Sequence, residues 1–343
     1  MTQPENSPWP KPTASRLIAV ANQKGGVGKS TTAVSLAGWL AIEGARVLVV
    51  DLDPQANATT GMGVDPRRVS TNIYQILVEG ALMEDAIEPT GLKNLYCVPS
   101  TIDLAGAEIE LVPAFSRELK LQKSLEGVEG EFDYVFIDCP PSLGLLTINA
   151  LAAAGEILVP IQCEYYALEG LGQLLRNINL VTSSLNPELR LTGIVLTMFD
   201  PRTKLSSQVA QEVRGHFPGK VFSVSVPRSV RLSEAPSFGQ PIALYDPNSK
   251  GAIAYRQIAY EMAHQPAAAM GSAVNIESVP IASPPAPESL AREVASETSE
   301  LPPIQEPVVT YQPVEPMNEE SAATSEDWTP PATAPDEREG DRS

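Results

Sequence analysis

Apolar residues in this chain gather in short unbroken runs, and the stretches between the runs carry helical spacing. "RLIAVAN" (16–22), "ARVLVVDLD" (45–53), "LYCVPS" (95–100), "FDYVFIDCP" (132–140), "EILVPIQ" (156–162) and "LRLTGIVLTMF" (189–199) read as buried strands. "STTAVSLAGWLAIEG" (30–44), "ALEGLGQLLRNINLVTSSL" (167–185), "LSSQVAQEVRGHF" (205–217) and "GAIAYRQIAYEMAHQ" (251–265) read as helices, the first closed by Gly44 as its C′ residue. Continuous apolar strands alternating with helices predict an α/β fold: a doubly wound, mostly parallel sheet with helices on both faces. No internal repeat interrupts the alternation.

The pattern stops near residue 265. From Gln265 to Ser343 there are 15 Asp and Glu against 3 Lys and Arg, a net charge of −12, and 13 prolines. Few large apolar residues remain, so ordering this stretch would cost more entropy than burial returns, and it is expected to be a disordered acidic tail. The domain division is therefore a flexible leader (1–15), a folded domain (16–264) and the tail (265–343). Of the total charge of −18, only −6 falls on residues 1–264, so indiscriminate nucleic-acid binding by the whole surface is excluded, whereas a local basic patch is not. Cys97, Cys139 and Cys163 lie far apart without CxxC spacing, as expected of reduced, buried thiols in a cytosolic protein. The leader is polar and proline-rich, unlike a signal peptide, and no apolar run approaches the ~20 residues of a membrane span.

Candidate chemistry sits where strands end. "NQKGGVGKS" (22–30) fails the strict phosphate-loop pattern, because Gln23 stands where the first glycine belongs; what is present is KGGxGK[ST]. Glycines there let backbone amides turn around phosphate oxygens, and the helix that opens near Ser30 directs its positive end to them. Lys24, Gly25, Gly26, Val27, Gly28, Lys29, Ser30 and Thr31 form the expected nucleotide-binding segment, with Lys29 reaching the β- and γ-phosphates and Ser30 offering its hydroxyl to Mg²⁺. Asp138, at the end of "YVFID", is placed to hold Mg²⁺ through water. Asp51 and Asp53, two residues apart, would share a face by strand period; one of them could orient the attacking water, or both could simply stabilise the turn.

"KGGVGKSTTAVSLA", "VLVVDLDPQANAT", "YVFIDCPPSLG" and "VPRSVRLSEAPSFGQPIALYDPNSKGA" together resemble the ParA/Soj family of partitioning ATPases, within the deviant Walker A, MinD-like group of P-loop NTPases. The resemblance runs from about Arg16 to His264. Its phosphate loop is shared with MinD, ArsA and the nitrogenase iron protein, while "PRSVRLSEAPSFGQP" is more specific to chromosomal ParA. Ala56 departs from the family, where glycine is frequent; alanine serves there as long as its φ is negative.

The resemblance implies an ATPase that is slow without a partner and uses ATP and Mg²⁺, with Lys24, Lys29 and Asp53 as its catalytic residues. Lys24 would reach the phosphates held by the other subunit of an ATP-sandwiched homodimer, Asp53 would position water, and the end of the "TMFDP" strand (197–201) and the loop around Pro227 would lie by the adenine. Non-specific double-stranded DNA would be held by Arg202 and Arg231, with Lys204, Arg228 and Lys250 as additions. A ParB-type centromere-binding protein would stimulate hydrolysis, and the protein would be cytoplasmic and nucleoid-associated, with no membrane partner. The alternative is a MinD-like ATPase that positions a non-DNA cargo or cycles on a membrane. Membrane cycling needs a basic amphipathic C-terminal helix, which an acidic, proline-broken tail does not supply.

Overall fold

The computed structural model describes residues 8–165 and 167–265. Residues 1–7 of the predicted leader and the predicted tail beyond Gln265 lie outside the described residues.

Seven strands form one sheet: β1 (Arg16–Val20), β2 (Val47–Asp51), β3 (Glu88–Pro89), β4 (Leu95–Val98), β5 (Tyr134–Asp138), β6 (Glu156–Gln162) and β7 (Arg190–Thr197). Their order is β3-β4-β2-β5-β1-β6-β7, parallel throughout except for the antiparallel β3–β4 pair. β3 has only two residues, too short to leave a periodic signal, and it was not anticipated. The main strands fall within the six predicted runs; β6 fills its run, and the others are trimmed at one or both ends where the chain turns away.

Side chains alternate between two buried layers, as a sheet covered on both faces requires. In β1, Ile18 and Val20 enter one layer and Ala19 the other; in β5, Tyr134 and Phe136 oppose Val135 and Ile137. The first layer is roofed by α1 (Lys29–Ile42) and the final helix, Lys250–His264. The second is roofed by helices Leu104–Glu110, Lys120–Leu125, Leu145–Ala153, Ala167–Ser184 and Lys204–His216. These are numbered α3, α4, α5, α6 and α7; α2 is Asn57–Gly61, α8 is Val230–Glu234, α9 is Ile242–Tyr245, and Lys250–His264 is α10. α5 is apolar on nearly every face, so periodicity gave no sign of it.

α1 ends as predicted. Gly44 has φ +96°, its amide donates to Ala41 O, and Ala45 N donates to Leu40 O, a Schellman closure that needs the left-handed residue at Gly44. Beneath the sheet, Arg16 donates to both Glu156 carboxylate oxygens, at 2.7 and 2.6 Å, and to Met262 O at 2.7 Å. Thr192 adds a hydrogen bond to the same carboxylate, so β1, β6, β7 and α10 are tied together through one buried ion pair.

Connections leave β1 and β5 on opposite faces, α1 on one side and α5 on the other. The crevice at the C-terminal ends of these strands is where open α/β sheets gather ligands. Among the described residues, no helix is long and apolar enough to cross a membrane.

Candidate functional site

The loop between β1 and α1 is held in shape by side chains that the motif does not contain. Asn22 accepts from Lys24 N at 3.0 Å and donates from Nδ2 to Pro160 O at 2.7 Å, anchoring the loop to β6. Thr197, the last residue of β7, donates from its hydroxyl to Val27 O at 2.9 Å. Gly26 (φ +73°) and Gly28 (φ +88°) supply left-handed turns that side chains disfavour. Gly25 is different: its φ is not in that region, and a Cβ built there would meet only Pro141, at 4.0 Å. Nothing in this subunit requires glycine at position 25.

The loop opens into a cleft of about 620 Å³, within the usual range for small-molecule sites. Gly25, Gly26, Gly28, Lys29, Ser30 and Thr31 line one end of it, with Asp53 beside them. Met198, Val226 and Pro227 line it as well. Pro227 thus lines the cleft, whereas Val27 is buried and its carbonyl accepts the Thr197 hydroxyl. Thr197 and Met198, at the end of "TMFDP", also line the cleft, as does Gln55, which was missed. The available signal was positional: each lies at or just beyond the C-terminal end of a strand.

The two lysines of the loop occupy different places. Lys29 is buried, with Nζ 3.3 Å from Lys24 O; burial pushes its ammonium below the usual lysine range, against the pull of Asp138 and Asp53. Lys24 is half-exposed, does not line the cleft, and is ion-paired with Glu164 at 3.0 Å. Glu164 also accepts from Gln162.

Sheet register sets Asp51 and Asp138 side by side as Cα partners at the ends of β2 and β5. Both are fully buried, and each is pushed up by burial and by the neighbouring carboxylates: Asp51 to about 6, Asp138 well above the usual carboxylate range. Asp51 is satisfied, accepting from Thr59 N at 2.8 Å, Thr59 Oγ1 at 2.7 Å and Asp53 N at 3.1 Å. It fastens the β2–α2 turn, which was the structural reading open for it. Neither oxygen of Asp138 makes a directed hydrogen bond; the nearby Ser30 hydroxyl favours its charged form without offsetting burial. A buried, orphaned carboxylate beside Ser30 fits a hard cation held by oxygen ligands and completed by water and phosphate. Among the described residues, no three His, Cys, Asp or Glu side chains converge as a metal cage.

Asp53 does not share Asp51's surroundings, because β2 ends at Asp51 and the chain has already turned. Asp53 lines the cleft and accepts from Gln55 N at 3.0 Å through Oδ1; its Oδ2 accepts nothing among the described residues. Ala56, three residues on, has φ +53°, so the left-handed conformation that glycine would take without strain is here imposed on alanine. The expectation of a negative φ fails: Ala56 closes a turn by donating its amide to Asp53 O at 2.9 Å and, left-handed, leads the chain into α2.

The expected DNA-binding residues are exposed, and several are ion-paired. Arg202 binds Asp200 through two hydrogen bonds, at 2.9 and 2.7 Å, and holds that carboxyl at about 2. Arg228 also acts on Asp200 and lines the cleft, so it stands between the nucleotide end and Arg202. Arg231 pairs with Glu234 at 3.0 Å and Asp246 at 3.4 Å. Lys204 and Lys250 open α7 and α10 and carry no ion pair among the described residues.

A family model described as an AAA domain matches residues 15–191. The sporulation initiation inhibitor protein Soj of Bacillus subtilis is 55% identical over 248 residues, covering 72% of this chain and 98% of its own length. The chromosome partitioning protein ParA of Myxococcus xanthus is 53% identical over 250 residues, 73% of this chain and 88% of that one. Among solved structures, a Mycobacterium smegmatis protein described as cobyrinic acid a,c-diamide synthase, with bound ADP and magnesium, superposes with a TM-score of 0.63 at 41% identity. It covers 71% of this chain and 92% of its own.

Proposed function

This chain belongs to the ParA/Soj family of partitioning ATPases, and from that premise we propose that it hydrolyses ATP with Mg²⁺ while cycling between a monomer and an ATP-sandwiched dimer that binds DNA without sequence preference. A ParB-type partner stimulates the hydrolysis and so resets the cycle. The observation that carries the reading is the separation of the two lysines: Lys29 buried in its own cleft, Lys24 outside it.

Lys29, Gly26 and Gly28 hold the triphosphate, the glycines through backbone amides and the lysine through charge. Ser30 and Asp138 hold Mg²⁺, Asp138 through water; when bound, the ion spreads the charge that develops in phosphoryl transfer. The cleft wall at Met198 and Pro227 receives the base. Asp53 accepts a hydrogen bond from the attacking water through Oδ2, while Gln55 N holds its other oxygen in place. Lys24 leaves Glu164 and reaches the phosphates bound by the second subunit, which adds positive charge where the transition state needs it. The exchange is cheap, since an exposed ion pair contributes no more than ~1 kcal/mol. Gly25, whose bareness its own subunit does not require, leaves room for that second subunit.

Arg202 and Arg231 exchange their carboxylate partners for DNA phosphates, with Lys204, Arg228 and Lys250 alongside. Each subunit's patch is small, and joining two on one dimer raises affinity through effective concentration, which makes DNA binding follow ATP.

The test is binding to unrelated duplexes with ATP, ADP or no nucleotide, for wild type, Lys24→Ala and Arg231→Ala. The expected result is ATP-dependent binding lost in both variants, with dimerisation lost only in Lys24→Ala. Binding that ignores nucleotide would sink the DNA reading and leave the ATPase.

A further inference from the structure

Residues 101–115 present an apolar surface that the proposed cycle does not use. Ile102, Ile109, Val112 and Phe115 are 73, 77, 57 and 97% exposed. Backbone hydrogen bonds run from Leu104 N to Thr101 O and on to Ala114 N to Leu111 O, so the helical turn extends past both ends of α3. At helical spacing Ile102, Ile109 and Val112 share one face, while Leu104, Ala107 and Leu111 occupy the other and are buried in the core. The segment is therefore apolar on two opposite faces, and only one is covered.

Carboxylates flank the outer face on both sides. Asp103, Glu110 and Glu79 converge on Tyr74, whose hydroxyl donates to Glu110 at 2.9 Å and is held protonated above its usual range by all three. On the other flank, Glu108 accepts from Leu146 N at 3.5 Å, in the first turn of α5. Arg117 alongside is already tied to Glu118 at 2.9 Å and to Val112 O at 2.8 Å.

We propose that this acid-rimmed apolar face is the docking surface for a cationic amphipathic segment of a partner protein. It rests on the reading that a ParB-type partner stimulates hydrolysis, and names where that partner engages. Charge selects the occupant. Two copies meeting through the same face would set carboxylates against carboxylates, and DNA or an anionic lipid surface would be repelled. A segment with apolar anchors and flanking Lys or Arg satisfies both the strip and its rim.

The segment touches α5 through the Glu108 contact, and the chain just after it is clamped there: Asn149 in α5 donates to Arg117 O at 2.8 Å and accepts from Leu121 N at 3.1 Å. α5 begins six residues after the chain leaves Asp138, and Pro141 in that loop is the residue facing Gly25. A partner seated on the strip therefore bears on the loop that follows Asp138, without entering the cleft.

The experiment uses the full chain and the purified ParB-type partner, reading direct binding by fluorescence anisotropy alongside basal and stimulated ATP turnover. Ile109→Ser with Phe115→Ser is expected to weaken binding about tenfold or more. Asp103→Lys with Glu110→Lys is expected to do the same and to flatten the salt dependence. Basal turnover, ATP-dependent dimerisation and DNA binding should stay at wild-type levels in both. A partner that fails to bind wild type, or binds the variants as tightly, overturns the proposal; so does loss of dimerisation in the serine variant, which would assign the strip to a second copy. Binding that is lost in the variants but never stimulates wild type would keep the docking site and remove the activator role.

Discussion

At the scale of single residues, strain and vacancy say more than chemistry alone. Ala56 at φ +53° is held in a region that costs an L residue about 1–2 kcal/mol, part of which glycine would return as unfolded-state entropy. Ala56→Gly is expected to stabilise the protein by up to about 1 kcal/mol, read as a raised denaturant midpoint with unchanged slope. Gly25 poses the opposite case, since its nearest neighbour across the missing Cβ is 4.0 Å away. Gly25→Val should leave monomer stability within ~0.5 kcal/mol of wild type and preserve ATP binding, while abolishing the ATP-dependent dimer in sedimentation or light scattering. A valine variant that dimerised normally would contradict the sandwich. Of the two aspartates in "DLD", the motif alone did not say which faces the cleft; the end of β2 at Asp51 decides that it is Asp53.

At the scale of elements, the joint between α1 and α10 is polar at one point. Thr32 and Tyr255 share a hydrogen bond of 2.9 Å in an otherwise apolar layer, and burial lifts the Tyr255 hydroxyl to about 12. Folding thus favours the neutral phenol. The stability this provides is complete below pH ~10, where the unfolded chain's tyrosine is also neutral, and is lost as pH rises towards 12. The loss amounts to roughly 2–3 kcal/mol. Tyr255→Phe should cost about 1 kcal/mol at neutral pH, because Thr32 loses its partner, and should remove this share of the alkaline loss. Denaturant titrations of both proteins across that range decide it; parallel curves would show that Tyr255 does not titrate with folding. Elements with strong periodicity or unbroken apolar runs were legible in the sequence. β3, α5 and the short helices α2, α3, α4, α8 and α9 were not, because two to seven residues carry little or no period and a helix buried on every side shows no polar face.

At the scale of the whole molecule, the acidic excess of the chain forces any DNA contact to be local. Arg202 and Arg231 hold carboxylates in the isolated chain, so phosphate must displace Asp200, Glu234 and Asp246. Each phosphate contact releases counterions, with a slope of about −0.9 per contact in log affinity against log salt. Arg231→Ala removes one contact per subunit, so for a dimer the slope should become shallower by about 2, measured on random-sequence duplexes. An unchanged slope would take Arg231 out of the DNA face.

By itself the sequence determined the sheet class, the phosphate loop and the family, because these depend on local patterns: apolar runs of strand length, glycines where amides must turn, a lysine before a hydroxyl. Tertiary structure alone decided what those residues meet. Parallel register brings Asp138 beside Asp51, the turn after β2 separates Asp53 from it, and Asn22 and Thr197 reach the loop from β6 and β7. Lys24 parts from Lys29 although only five positions separate them. Such pairings join residues far apart in the chain, and a one-dimensional pattern carries no information about which strand ends fold against each other.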